Sequence, residues 1–74
     1  MPFDKEELAG NLRAFRAKRR MSQQSVADAI GVDQITISNY ENAVSGMSFE
    51  NAWALADLFG VTLDDLGGRK ISEQ

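Results

Sequence analysis

The sequence contains no cysteine and no histidine, and its single proline, Pro2, lies at the N-terminus. A chain without those two residue types cannot have a disulfide framework, a zinc finger or a cysteine or histidine nucleophile. Because no proline lies further along the chain, every interior position is open to helix. The 74 residues, 43% of them hydrophobic, are too few to build two stable cores. We expect one small domain that is stabilised by packing alone.

Long hydrophobic runs are missing as well. The longest, residues 52–56, is far shorter than the roughly 20 residues that cross a bilayer. The sequence has no charged start followed by an apolar stretch, so a secretory signal is not predicted. The sequence therefore predicts a soluble cytoplasmic protein with no membrane partner.

Lysine and arginine are missing from residues 21–68, where seven acidic side chains lie. Residues 1–20 instead carry six basic and three acidic side chains. The formal net charge is −3, and such an acidic total argues against a nucleic-acid partner. The division of charge weakens that objection, because the basic N-terminal segment could lie along a phosphate backbone.

Helix starts are predicted where a side-chain acceptor is preceded by an apolar residue and followed, four positions later, by another. Five residues meet this condition: Asp4, Ser22, Asp33, Ser48 and Thr62. Two of them, Asp4 and Thr62, also have the acid three positions on that a capping box prefers. The predicted helices cover 5–18, 23–30, 34–41, 49–59 and 63–66, so the fold class is all-α. On the fourth helix, Phe49 and Trp53 are predicted to lie on the buried side.

The second and third predicted helices are joined by only three residues, 31–33. Such a connection forces a sharp corner, with Gly31 placed to take a positive φ. A small residue at the crossing, Ala27, allows the two helices to approach closely. Five apolar residues have the spacing of a shared core: Val26, Ile30, Val32, Ile37 and Tyr40. Together these positions predict a helix-turn-helix.

The third predicted helix has an amide and hydroxyl face. At about 100° per residue, Gln34, Ser38 and Asn39 fall on one side with Ile35 among them. Gln and Asn side chains can pair with adenine, Ser can bond several base edges, and Ile can lie against a thymine methyl. A polar face by itself is more often simply solvated. The helix-turn spacing that precedes the third predicted helix favours base readout in the major groove.

Over roughly residues 8–66 the sequence resembles the Cro/C1-type helix-turn-helix family, the phage-repressor-like or XRE-family transcriptional regulators. The matching segments are 12–16, 21–27, 30–32, 37–42 and 55–61. The resemblance implies a compact five-helix lambda-repressor-like DNA-binding domain over residues 1–68, with the helix-turn-helix at 23–42 and a flexible tail at 69–74. It implies a repressor, associated with the nucleoid, that inserts helix 34–41 into the major groove of a palindromic operator on double-stranded DNA.

The resemblance also implies roles for individual side chains. Base-reading residues are predicted at Gln34, Ile35, Ser38 and Asn39. Phosphate-binding residues are predicted at Gln23, Arg13, Arg16, Thr36 and Asn42. Arg16 and Glu41 occupy the positions of a partly buried ion pair in the family, although the two could also be unrelated surface charges. Arg19 and Arg20 could contact phosphate or simply be a solvated helix end.

The loop after the third predicted helix departs from the family pattern. Many relatives carry Gly and then a cation after Glu-Asn, and Pro before the fourth helix, whereas this chain has Ala43, Val44 and Met47. Phosphate binding would then depend on few arginines, and affinity would be modest. A loop this neutral could alternatively face protein.

Repressors of this family bind as dimers, and by that resemblance the homodimer seam is predicted at Val61, Leu63 and Leu66.

The main alternative is a protein-interaction module of the same fold, such as an antitoxin-type partner-binding protein, which the acidic residues after Met21 would suit. Catalysis has little support, because the carboxylates of Asp64 and Asp65 point about 100° apart and are better explained by a helix cap. We expect no enzyme activity, cofactor, metal or small-molecule ligand.

Overall fold

The computed structural model describes residues 3–68, and all regular structure within that range is helical. The helices are α1 (Lys5–Lys18), α2 (Gln23–Ile30), α3 (Gln34–Glu41), α4 (Phe49–Phe59) and α5 (Leu63–Gly67). The predicted all-α class is therefore confirmed, and only the end of α5 differs, by one residue. The predicted tail at 69–74 lies outside the described residues.

Four of the five predicted caps form a side-chain hydrogen bond. Ser22 and Ser48 accept from the backbone N–H three residues on, at 3.0 and 3.1 Å. Thr62 forms the predicted capping box, since Asp65 N–H donates to its hydroxyl at 2.9 Å and the Asp65 carboxylate accepts from Thr62 N–H. Asp4 accepts from Glu6 N–H, one residue earlier than a capping box with Glu7 requires. Each of these bonds satisfies an N–H that its helix leaves unpaired.

Asp33 is the N-cap residue of α3, but the prediction that its side chain caps the helix is wrong. Asp33 has the extended backbone of an N-cap, but its side chain accepts no cap hydrogen bond. Its backbone carbonyl begins α3 instead, by accepting from Thr36 N–H at 3.0 Å. The carboxylate at the start of α3 is thus exposed to solvent.

The core lies where α1, α2, α3 and α4 meet, and α5 closes one end of it. Its fully buried apolar side chains are Leu12, Val26, Ala27, Ile37, Leu55 and Leu66. At the corner between α2 and α3, Gly31 has φ 79°, and the N–H groups of Gly31 and Val32 both donate to the Ala27 carbonyl at 2.9 Å. This arrangement is the predicted helix-turn-helix, closed by a left-handed cap that suits glycine.

The prediction that Phe49 and Trp53 belong to the core is wrong. The two residues are 67% and 55% exposed, and their ring centroids lie 5.8 Å apart on the outside of α4. The buried line of α4 runs through Leu55, Ala56 and Phe59. At 100° per residue, Trp53 lies roughly 110° from the centre of that line. The apolar arc of α4 is wider than the core can cover, so its outer edge remains in solvent.

The loop after α3 contains an unusual backbone angle. Ala43 has φ 58°, in the left-handed region, at the position where the sequence departs from the family's glycine. A side chain in this conformation costs about 1–2 kcal/mol, because Cβ approaches the carbonyl oxygen too closely. The loop conformation is thus kept without the residue that normally favours it.

We expect Ala43→Gly to stabilise the domain. Relief of the left-handed strain exceeds the extra unfolded-state entropy of glycine, so the free energy of unfolding should rise by about 0.5–1 kcal/mol. For a domain of this size the melting temperature should rise by about 4 °C. The matched control is Ala29→Gly in the exposed face of α2, which should lower stability by about 1 kcal/mol. If Ala43→Gly lowered the melting temperature as much as Ala29→Gly does, the backbone of Ala43 would not be strained.

Candidate nucleic-acid interface

The polar side of α3 lies beside the corner with α2. Ile35 is 67% exposed, while Gln34, Ser38 and Asn39 are half-buried along the same helix. Asn42, at the C-terminal cap, is exposed and donates to the Ser38 carbonyl at 2.9 Å. The structure therefore brings the four predicted base-reading residues onto one short helix, with Asn42 at its end.

Arg16 and Glu41 form a buried ion pair between α1 and the end of α3. Arg16 Nε donates to Glu41 Oε2 at 2.6 Å, and Arg16 Nη2 donates to Oε1 at 3.0 Å. Glu41 is 2% exposed and the Arg16 side chain 23%. The hydrogen bond to Glu41 raises the pKa of Arg16, and desolvation opposes the shift in part. Arg16 Nη1 also donates to the Met21 carbonyl, at 2.9 Å, so one guanidinium joins α1, α3 and the segment that leads into α2.

Gln23 and Gln34 continue from this ion pair toward solvent. Gln23 Nε2 donates to Glu41 Oε1 at 3.0 Å, and Gln34 Nε2 donates to Gln23 Oε1. A continuous series of hydrogen bonds thus runs from the buried Glu41 carboxylate to the first residue of α3. We call Arg16, Glu41, Gln23 and Gln34 the glutamine relay. Sequence reasoning assigned Gln23 and Gln34 separate roles and missed this connection, because the two are eleven residues apart and no helical spacing links them.

The arginines in α1 and at its C-terminal cap differ in what they contact. Arg13 is exposed, and its Nη1 donates to the backbone carbonyl of Glu41, where α3 ends. Arg19 instead donates to the Phe59 carbonyl at 3.0 Å, at the C-terminal end of α4. A cation at that position caps unpaired carbonyls and interacts favourably with the helix dipole. Arg13 and Arg16 therefore lie next to α3, whereas Arg19 contacts the C-terminal end of α4.

The remaining predicted contact residues lie close to α3 without a shared network. Thr36 is half-buried in the first turn of the helix. Asn42 Nδ2 is within 3.3 Å of the Ser38 hydroxyl, so these two side chains are coupled. Sequence reasoning did not anticipate this bond, although Ser38 and Asn42 have the i, i+4 spacing that would have indicated it.

An apolar groove lies between the start of α1, the start of α4, and α5. Its volume is about 470 Å³, and its lining includes Phe3, Leu8, Phe49 and Leu63 together with the acidic Glu7 and Asp64. A second cavity of about 430 Å³ adjoins it and is lined by Trp53, Val61 and Leu63 together with Asp57 and Asp64. Two of the exposed large apolar residues, Phe49 and Trp53, lie on α4 and line these two cavities.

One part of the predicted dimer seam is wrong. Leu66 is 1% exposed and packs in the core of its own chain, so it has no surface to offer a second copy. Val61 and Leu63 are half-buried and line the second cavity.

Among residues 3–68, no cluster of acidic side chains has the geometry of a metal site, and no helix has the length and hydrophobicity to cross a membrane.

Five short helices, a glycine corner between α2 and α3, and a polar face on α3 define a helix-turn-helix domain. A family model described as helix-turn-helix matches residues 12–66, and the chain belongs to this family. The predicted resemblance to Cro/C1-type regulators is thereby confirmed.

Individual relatives agree with this assignment. The chain is 38% identical over 63 residues to the HTH-type transcriptional regulator AnsR of Bacillus subtilis; the match covers 85% of the chain and 54% of AnsR. The chain therefore spans about half the length of that regulator.

Solved structures show the same fold. The phage P22 c2 repressor, in complex with a synthetic operator, is 25% identical with a TM-score of 0.80, over 85% of this chain and 96% of the repressor chain. The SOS-response repressor LexA of Eubacterium rectale is 26% identical with a TM-score of 0.81, over 100% of this chain and 84% of LexA. All three relatives are named as regulators or repressors.

Proposed function

We propose that this chain is the sequence-specific DNA-binding domain of a transcriptional regulator, a repressor that acts in the cytoplasm at the nucleoid. The observation that carries the proposal is the position of α3. Its polar residues project beside the helix-turn-helix corner, and the Arg16–Glu41 pair holds its C-terminal end against α1. In the P22 c2 repressor, a protein of the same fold is bound to an operator. We infer that α3 enters the major groove, as recognition helices of this kind do.

The proposed contacts fall into two groups. Gln34, Ile35, Ser38 and Asn39 read base edges, whereas Gln23, Arg13, Arg16, Thr36 and Asn42 bind the phosphate backbone. Arg13 supports this division best, because it is exposed, positively charged and held at the end of α3 by the Glu41 carbonyl. Three of the five N–H groups of Arg16 already donate to Glu41 and Met21, so at most two are available to a phosphate.

The proposed regulator binds a palindromic operator as a homodimer. Trp53, Val61 and Leu63 line one cavity and offer the exposed apolar surface that a seam needs, while Leu66 takes no part. In a two-fold dimer the same patch faces itself. Asp57 and Asp64 lie in that patch, so we expect like charges to oppose association and salt to strengthen it.

The second candidate is a protein-interaction module of the same fold. The feature that favours it is the lining of the apolar groove, which combines the acidic side chains of Glu7 and Asp64 with Phe3 and Phe49. A basic, apolar partner segment would suit this surface. This candidate predicts no affinity for DNA.

Salt-dependent binding to a generic duplex tests the proposal. A DNA-binding domain should bind weakly at low salt, and the logarithm of its affinity should fall with the logarithm of salt by about 0.9 for each phosphate neutralised. Arg13→Gln should lower that slope by about 0.9 if Arg13 contacts one phosphate. Lys5→Gln removes the same charge at the start of α1, away from α3, and should leave the slope unchanged. Fluorescence anisotropy measures both slopes, and the absence of duplex binding at low salt would favour the interaction module.

A further inference from the structure

We propose that a cationic amphipathic helix of a second protein binds across the apolar groove and the second cavity, and that this partner separates the homodimer. We call the surface that lines these two cavities the acidic face. Binding of the partner is independent of the proposed function, whereas its effect on the dimer rests on it. Unlike the interaction module considered above, a chain of this kind keeps its affinity for DNA.

The two cavities of the acidic face form one continuous surface. Leu63 and Asp64 line both of them, whereas Phe49 lines the apolar groove and Trp53 the second cavity. Phe49 and Trp53 are 67% and 55% exposed, and their ring centroids lie 5.8 Å apart. Apolar side chains one turn apart on a partner helix are separated by about 5.4 Å along its axis, so they match this pair of cavities.

The charges of the acidic face all have one sign. Glu7 lines the apolar groove, Asp57 lines the second cavity and Asp64 lines both, and no lysine or arginine of residues 3–68 lines either one. Within that range the single salt bridge joins Arg16 to Glu41, so these three carboxylates have no ion-pair partner there. Lysine or arginine side chains that flank the apolar stripe of a partner helix would compensate them. Charge complementarity therefore favours a cationic partner.

A second copy of this chain suits the acidic face less well. In a two-fold homodimer the patch faces itself, so the carboxylates of Asp57 and Asp64 approach those of the other copy. A cationic helix replaces this repulsion with attraction while it covers the same apolar side chains, Val61 and Leu63. Because one surface cannot be covered twice, binding of the partner excludes the homodimer.

The partner leaves the proposed DNA contacts uncovered. No residue of α2 or α3 lines either cavity, and neither does Arg13 or Arg16. A chain that holds the partner therefore still binds one half-site. It loses the second half-site that a dimer would occupy at the same time, so its affinity for a palindromic operator falls.

The first test measures binding of a synthetic peptide. The probe has about 18 residues, with leucine at every third or fourth position and lysine elsewhere, which is the pattern of an amphipathic helix. Trp53 is the only tryptophan of the chain, so a blue shift of its fluorescence reports that the second cavity is covered. We expect this shift, with an affinity that weakens as salt rises. A peptide with glutamate in place of every lysine should not bind.

Two pairs of variants locate the site. Phe49→Ala should weaken peptide binding about tenfold, whereas Val44→Ala, which removes a similarly exposed apolar side chain outside both cavities, should not. Glu7→Gln should weaken it roughly 2- to 5-fold. Its control is Glu6→Gln, which removes the same charge from the neighbouring position of α1 but lines neither cavity.

The second test measures the dimer and the operator. In sedimentation equilibrium the lysine peptide should shift the wild-type chain from dimer to monomer. It should also lower operator affinity about tenfold or more in gel-shift titrations. The Phe49→Ala chain should keep its operator affinity at the same peptide concentration, which shows that the peptide acts on the protein and not on the duplex.

The outcomes separate this proposal from the proposed function. Absence of a fluorescence shift with the lysine peptide overturns the proposal and leaves DNA binding untouched, and so does equal binding of the glutamate peptide. Binding that appears only after Arg69→Gln with Lys70→Gln overturns it as well, because the occupant would then be the chain itself. A peptide-bound chain that remains a dimer overturns the exclusion. If the wild-type chain forms no dimer, the proposed homodimer fails, and fluorescence alone decides the partner.

Discussion

Glu41→Ala should destabilise the domain by about 3 kcal/mol. The change leaves the Arg16 guanidinium beside an empty, desolvated site, and removal of one partner from a buried pair costs about 3–5 kcal/mol. We expect the lower end because the Arg16 side chain retains 23% of its exposure. The change also removes the acceptor for Gln23 Nε2. A single core in a chain of this size rarely supplies more than about 3–5 kcal/mol, so much of the protein should be unfolded at 25 °C. Urea denaturation followed by circular dichroism measures the loss.

The control replaces both partners. The double variant Arg16→Met with Glu41→Leu contains no unpaired charge and should recover most of the stability, since hydrophobic replacement of a buried pair is often neutral or favourable. If Glu41→Ala alone cost less than 1 kcal/mol, the pair would behave as an exposed surface pair. That result would contradict the buried geometry.

Leu66→Ala should destabilise each single chain by about 2–5 kcal/mol, the usual cost of removing three carbons from a packed core and leaving a cavity. Leu66 is 1% exposed and belongs to the core cluster that also contains Leu8 and Leu12 of α1. The loss should be the same at every protein concentration, because the residue packs within its own chain. Thermal melts over a hundredfold range of concentration measure this directly.

Leu63→Ala is the matched control for that prediction. It removes the same atoms from the same short helix, but Leu63 is half-buried and lines the proposed dimer seam. We expect a stability loss of at most about 1 kcal/mol and weaker self-association in sedimentation equilibrium. Self-association of the unmodified chain should strengthen as salt rises. If the stability loss of Leu66→Ala relative to the unmodified chain changed strongly with protein concentration, that result would contradict the place of Leu66 in the core and return it to the seam.

The helices were predictable from local features, since each cap and each glycine acts within one or two turns of its own chain. The starts of all five helices agree with the sequence-based predictions, and so does the corner at Gly31. Local features predicted less well which apolar residues are buried. Trp53 was predicted on the buried side of its helix and Leu66 at a dimer seam, yet Trp53 is 55% exposed and Leu66 only 1%.

The set of helices, the sharp turn between α2 and α3, and the polar face of α3 therefore follow from the amino-acid sequence alone. These depend on spacing and capping, which are local. Three features depend instead on how the helices pack: which face of α4 the core covers, the burial of Leu66 in that core, and the connection of Gln34 to Glu41 through Gln23. The physical reason is that burial and hydrogen-bond partners depend on how separate helices pack, and residues 16, 23, 34 and 41 meet only once three helices have come together.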